Sequence, residues 1–221
     1  MEQKKLKVAV VVAHHSYEVC PFQELFESMP EIHPYIQHVE QFTSSSQEVR
    51  DSYDAIVLYT MWLPTPVNDG PWYEGRALDA FQNLGKAKQG IVVLHHSILA
   101  FQQWPYWTEL TGYDPKKYRD YELDIPMSFR NAAPEHPIMK GIPDFDMTDE
   151  AYEGDGVADV PGVEVLMTCD YAKNFPTVAW TKQHGNARVF CLQPGHGPTS
   201  YTHPQFREIL RRGILWTTEK L

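Results

Sequence analysis

The sequence predicts an α/β fold with a mostly parallel central sheet, followed after about residue 112 by an irregular or antiparallel insertion. The first ground is a set of apolar runs at residues 6–13, 54–59 and 90–95, too continuous for strands with one wet face. They are expected to be adjacent, central and covered on both sides by helices. The second is helical spacing between the runs, as at Leu78, Phe81 and Leu84. The third is a change beyond Gly112, where residues 113–130 are rich in Tyr and Asp, with partial alternation and no βαβ rhythm.

In chain order, Leu6-Lys-Val-Ala-Val-Val-Val-Ala13 reads as a central strand. The loop His14-His15-Ser-Tyr-Glu-Val-Cys20-Pro21 follows, and Pro21 suits the first turn of a helix running to about residue 29. Residues 34–40 read as a weaker strand, 44–50 as a short polar helix or loop, and 54–59 as a third parallel strand. Pro64, Pro66, Asn68-Asp69-Gly70 and Pro71 forbid regular structure and predict a long loop over 60–73, bracketed by Trp62 and Trp72. A helix is expected over 74–88, a strand over 90–95, and a helix over 98–110.

Beyond Gly112, Ala133-Pro-Glu-His136-Pro137 and Gly141-Ile-Pro143 read as turns, within an insertion that covers one edge of the sheet. Residues 164–168 and 177–181 read as strands, Gln183-His-Gly185-Asn186 as a hairpin turn, and 187–192 as the return strand. Gln193-Pro-Gly195-His196-Gly197-Pro198 closes that strand. Residues 204–217 form the last helix, with Phe206, Ile209, Leu210, Gly213 and Ile214 on one face.

At 221 residues without a Gly/Ser-rich or Pro-rich linker, the chain is read as a single domain over 1–221. The formal charge of −10 and the lack of a basic cluster argue against nucleic acid and anionic membrane as partners. Three cysteines without metal-ligand spacing, and no secretory h-region, point to a cytoplasmic protein with reduced thiols. No apolar run approaches the ~20 residues of a membrane-spanning helix. Ten His, six Trp and twelve Tyr suit a polar organic ligand, and a small-molecule carbohydrate is the expected partner. Assembly into a homo-oligomer is left open.

The chemistry concentrates in histidines that follow strands. In open parallel sheets ligands bind outside the carboxyl ends of the strands, and His14-His15, His95-His96 and His196 all fall at such ends. His95, His96, His196 and Glu150 are the candidate catalytic groups, able to exchange protons. Neutral imidazole is a common zinc ligand, so His15, His95 and His196 are a candidate set for a divalent metal such as zinc, with Glu150 as a further carboxylate. Adjacent strand residues point opposite ways, and at most one of each pair is expected at a common centre. The competing reading is that these histidines cap helices or bond loop carbonyls.

Asp149 beside Glu150 suits orientation of an imidazole, although acidic pairs before a tyrosine are more often solvated or capping. His14, His15, Trp62 and Tyr152 are candidate substrate contacts. Trp104, Tyr106 and Trp107 suit either a sugar-stacking platform or, from their spacing with Phe101, the core. Cys191, inside an apolar strand, is expected to be a buried small hydrophobe, and Cys20 is the one thiol with any case for reactivity.

Several segments, taken in order, carry a resemblance that spans nearly the whole chain. They are Gly90-x4-His95-His96 with Trp104 to Gly112, Glu135-His-Pro-Ile138 with Gly141, Asp149-Glu150-x-Tyr152, Arg188-Val-Phe190 with Gly195-His196-Gly197, and His203-Pro with Gly213-Ile214-x-Trp216. Together they resemble the ThuA-like (trehalose utilisation) proteins. The resemblance implies a flavodoxin-like three-layer sandwich of the class I glutamine amidotransferase-like superfamily and a role in carbohydrate metabolism.

Amidotransferases of that superfamily place a cysteine nucleophile at the strand-to-helix turn. Here the turn carries His95-His96, with no cysteine between Cys20 and Cys169, so glutamine amidotransferase chemistry is not expected. The favoured expectation is an enzyme acting on a sugar or oxidised sugar derivative, by hydrolysis or isomerisation, through His/carboxylate acid-base chemistry with a divalent metal and no nucleotide cofactor. The alternative is a non-catalytic carbohydrate-binding or regulatory protein that kept the fold without the nucleophile.

Overall fold

The apolar runs form strands buried on both faces because alternate side chains of one strand enter two separate cores. In a computed structural model that describes residues 4–221, β1 (Leu6–Ala13) sends Val8, Val10 and Val12 to one side and Ala9, Val11 and Ala13 to the other. The first core is closed by Phe22, Leu25 and Phe26 of α1 (Val19–Glu27) and by the last helix. The second is closed by α2 (Val39–Ser44), α4 (Ala77–Gln82) and α5 (Pro105–Thr111), while α3 (Gln47–Asp51) precedes the third strand.

β2 (Ile32–His38), β3 (Ala55–Thr60), β4 (Gly90–Leu94) and β9 (Ala187–Leu192) join β1 in a parallel half. β5 (Tyr118–Asn131), β6 (Phe145–Gly154), β7 (Val163–Cys169) and β8 (Thr177–His184) complete one nine-stranded sheet in the order β2-β1-β3-β4-β9-β8-β7-β5-β6. β1, β3 and β4 are adjacent and interior, as their patterns predict. β2 is an edge strand, where Pro34 costs no ladder bond.

Two expectations are corrected. The sheet is not mostly parallel: four strand pairs are parallel and four antiparallel. Nor do the residues after 112 form an insertion covering an edge, because β5 to β8 continue the same sheet beyond β9. Short connections such as the turn between β8 and β9 allow only antiparallel pairing; a parallel return needs a long crossover. The alternation that signalled departure from βαβ units was the strand signal itself.

Helix lengths also differ from expectation. The helix expected over 74–88 is held to Ala77–Gln82 by left-handed glycines on either side, Gly75 (φ 61°) and Gly85 (φ 83°). The one expected over 98–110 splits into a 3₁₀ turn, His95–Leu99, and α5. Phe101 is left-handed (φ 50°), and Pro105, which lacks an N–H, starts a helix rather than continuing one.

The last helix, α7 (Pro204–Thr217), crosses the sheet at Gly213, where an added Cβ would lie 2.1 Å from Cδ1 of Phe190. Phe190 is fully buried and has no room to retreat. Gly213→Ala should therefore destabilise the protein by roughly 1–3 kcal/mol despite alanine's better helix propensity, measured by urea denaturation.

Candidate functional site

The site begins with two strand ends whose backbones turn left-handed. His14 (φ 58°) closes β1 and His95 (φ 54°) follows β4, a conformation that non-glycine residues hold only when their surroundings impose it. At His95 the restraint is visible. The Ser97 hydroxyl accepts from the Thr60 N–H and donates to the Thr60 carbonyl, and the Trp107 indole donates to the Ser97 carbonyl at 3.2 Å. The turn after β4 is thereby fastened to the end of β3, and His95 and His96 are completely buried.

His95 has a fixed tautomer. Its Nδ1 lies 2.8 Å from the Gln193 carbonyl, which can only accept, so Nδ1 carries a proton. Nε2 then faces the Glu150 Oε2 at 3.0 Å, the Tyr152 hydroxyl at 2.9 Å and Nδ1 of His196 at 3.4 Å. Oε2 of Glu150 also accepts from Tyr152 at 2.8 Å and lies 3.1 Å from Nδ1 of His196. Tyr152 has a single proton to give. A neutral His95 would leave the Nε2 lone pair against the carboxylate, so the group has room for one more cation, a proton or a metal.

The electrostatics follow. Burial opposes ionisation of Glu150, but hydrogen bonds from His196 and His95, the charge of His95 and the Tyr152 hydroxyl outweigh it, and its carboxyl is held below the usual range. The hydrogen bond to Glu150 raises the His196 imidazole above its ordinary value against the opposing effect of burial. His96 moves the other way, held neutral by burial and then by neighbouring His95 and His15. Both of its ring nitrogens are buried without a partner.

Asp149, on the same strand as Glu150, addresses the backbone. It is 3% exposed and accepts from the N–H of Gly195 (2.7 Å), the N–H of His196 (3.0 Å) and the Ser200 hydroxyl (2.7 Å) at the start of α6 (Pro198–Tyr201). One carboxylate thus fixes the loop and its neighbour receives the imidazole.

His95, Glu150 and His196 form the close group, with ligand-capable atoms all within 4.8 Å of one another. His15 stands outside it: its ring stacks on His96 at 4.3 Å, lies 5.8 Å from that of His196, and bonds the Ser16 carbonyl through Nδ1. His14 lies farther along the edge, 5.1 Å from Trp62. Trp62 is 9% exposed and packs near Phe81 and Phe101, so it supports His14 from below. Tyr152 lies at the centre. Trp104 and Trp107 belong to the core, and Cys191 is buried.

Gln193, Asn174 and Tyr59 are positioning residues that the sequence did not announce. The Gln193 side chain donates to the Glu150 carbonyl at 2.9 Å and accepts from Asn174, whose own oxygen receives the Tyr152 N–H at 2.7 Å. The Tyr59 hydroxyl donates to the Gly195 carbonyl at 3.0 Å. The polar end of the apolar run 54–59 and the head of the loop 193–198 were the available signals, and Asn174 had none.

Fold and site together define a mixed α/β protein with a buried histidine at the strand-to-helix turn after β4. The chain belongs to the family described as ThuA, trehalose utilisation, which it matches over residues 7–217. A ThuA-like protein from Parabacteroides merdae has the same fold at TM-score 0.72 and 14% identity, covering 97% of this chain and 90% of that one. One from Bacteroides uniformis gives 0.72 and 16%, covering 98% and 93%. A cytoplasmic protein of Salmonella typhimurium gives 0.65 and 12%, covering 96% and 99%. At such identities the likeness shows fold alone. No curated protein matches the sequence.

Because Asp149 serves buried loop amides and His196 reaches the surface, Asp149→Ala should cost about 2–4 kcal/mol of stability and His196→Ala about 1 or less. Thermal and urea unfolding of the two variants checks the order.

Proposed function

We propose that this protein is an enzyme of carbohydrate metabolism that acts on a sugar or oxidised sugar derivative, by hydrolysis or isomerisation, at the His95, Glu150 and His196 group. One observation carries the reading. Two imidazoles and a carboxylate from separate elements converge at 3.0–3.4 Å, and one imidazole is locked so that its Nε2 faces inward. Membership of a trehalose-utilisation family supports the sugar. Among the described residues no helix is long and apolar enough to cross a membrane. We place the protein in the cytoplasm, as its Salmonella structural relative is described.

The donor set fits a divalent ion such as zinc. Tetrahedral ligands at ~2.0–2.1 Å from zinc stand roughly 3.3 Å apart, close to the separations here, and His95 presents Nε2 with Nδ1–H on a carbonyl, the usual support for a ligating imidazole. His95, Glu150 and His196 would hold the ion, which when bound supplies Lewis acidity toward a sugar oxygen. His15 serves the substrate side. Tyr152 orients Glu150 and His95, and His196, the most exposed member, stands on the side from which a sugar hydroxyl would arrive.

Protein purified without a histidine tag should carry about one divalent ion per chain by elemental analysis, and His196→Ala should lose it while remaining folded. His196 has to release its proton to bind metal, and Glu150 raises that pKa, so zinc affinity should still climb with pH above about 6.5. Glu150→Gln should weaken zinc binding and shift that rise to lower pH. Absence of any metal binding, with sugar binding unchanged in His196→Ala, would remove the reading.

Cys20 is exposed and lies on α1, and Cys169 and Cys191 are buried, so no thiol stands at the turn after β4. Glutamine should therefore release no ammonia, and alkylation of Cys20 should leave sugar binding intact. Ammonia release abolished by Cys20→Ser would overturn this assignment.

A further inference from the structure

Among the described residues, the non-glycine residues with left-handed backbones are His14, His95, Phe101, Asp124 and Glu219. His14 and His95 begin the candidate site. Asp124 (φ 56°) borders it, for a reason visible in the strand register. β5 and β6 pair Glu122 with Ala151 and Ile125 with Asp149, so Leu123 and Asp124 oppose a single residue, Glu150. This is a β-bulge, the device by which a strand redirects a side chain beside a site.

The bulge has no evident task inside the protein. Glu122, one of its flanks, is engaged by Tyr171 and Lys173. Asp124 is exposed and, among the described residues, enters no side-chain hydrogen bond or ion pair, yet its charge reaches the His196 imidazole. It is not within the close group of metal-capable atoms. Leu123 beside it is 50% exposed, an apolar surface next to an unengaged acceptor. Aspartate tolerates the left-handed region better than most residues but still at a cost, and such strained positions cluster at functional sites.

We propose that Asp124 is a substrate-contacting, specificity-determining residue, its carboxylate accepting hydrogen bonds from sugar hydroxyls at the mouth of the His95–Glu150–His196 site, with Leu123 against the apolar face of the ring. The inference rests on the sugar reading above and adds the residue that selects a polyhydroxylated ligand over a less hydroxylated one. A carboxylate facing paired hydroxyls accepts two charge-assisted hydrogen bonds, whereas an amide in its place offers one acceptor and one misplaced donor.

The test uses the full chain loaded with zinc and titrated calorimetrically with trehalose, maltose and D-glucose, the tightest binder being carried into the variants. Asp124→Asn keeps the left-handed preference and should weaken sugar binding about tenfold or more with zinc binding unchanged. Asp124→Gly relieves the backbone strain, so it should melt no lower than wild type while losing sugar affinity to a similar degree. Wild-type affinity in both variants overturns the proposal and leaves the proposed function standing. Failure of all three sugars to bind the zinc-loaded wild type overturns the sugar reading and this proposal with it. Loss of zinc in Asp124→Asn also overturns it, since the residue would then act through the metal group.

Discussion

A buried carboxylate has to find positive charge or hydrogen-bond donors, and Glu150 finds both at once: His95 at 3.0 Å, His196 at 3.1 Å and Tyr152 at 2.8 Å. Its demands reach far along the chain. They require the end of β4, the loop after β9 and the far strand β6 to meet at one point, although β6 is separated from the adjacent β4 and β9 in the sheet order by β8, β7 and β5. The antiparallel half of the sheet therefore has a reason beyond core formation. It carries Glu150 and Tyr152 back to the carboxyl ends of the parallel strands, where Gln193 and Asn174 secure β6 through its backbone.

Asp149 and Glu150 show how two like charges can be adjacent and both buried. Neighbouring strand residues point apart, and each carboxylate has its own donors. Asp149 takes the N–H of His196 and Glu150 takes the ring of the same residue. His196 is thus held from two sides by one strand, and its rotamer is set before any ligand arrives. Removing either acid would leave donors or imidazoles without a partner, the costly way to break a buried polar network, whereas the network intact is close to neutral in stability. Its specificity for one arrangement of the loop is the gain.

What the sequence disclosed follows from which pattern each element had to obey. β1, β3 and β4 are buried on both faces and so are written in apolar residues, and their central, adjacent placement was legible. β6 was not seen at all, because its middle is buried on both faces yet carries Asp149 and Glu150 there, so it shows neither the alternation of a half-buried strand nor a continuous apolar run. The two-residue bulge opposite Glu150 hides the register of its partner β5 in the same way. Helices were overextended where Gly75, Gly85 and Pro105 cut short an otherwise sound apolar spacing. The histidines at strand ends were found since position alone identifies them, but the choice of Glu150 over His15 as the third member of the close group depends on where the β5–β6 pair places residue 150. No local pattern encodes that placement.

The buried turn also limits what chemistry can take place at it. A nucleophile at the strand-to-helix turn must be exposed to substrate and served by a base, whereas the His95 side chain is 0% exposed, donates through Nδ1 to Gln193 and is walled by Tyr152. It cannot advance on a substrate; it can only hold something brought to Nε2. Glu150, at 7% side-chain exposure, is nearly as enclosed, and His196, at 35%, is the member of the group that solvent reaches. In the function proposed above, a ligand approaches along the His196 face. In that proposal the interior pair fixes charge and geometry and the exposed imidazole faces the ligand, so a substitution at His95 should act on assembly of the site and one at His196 on its encounter with ligand.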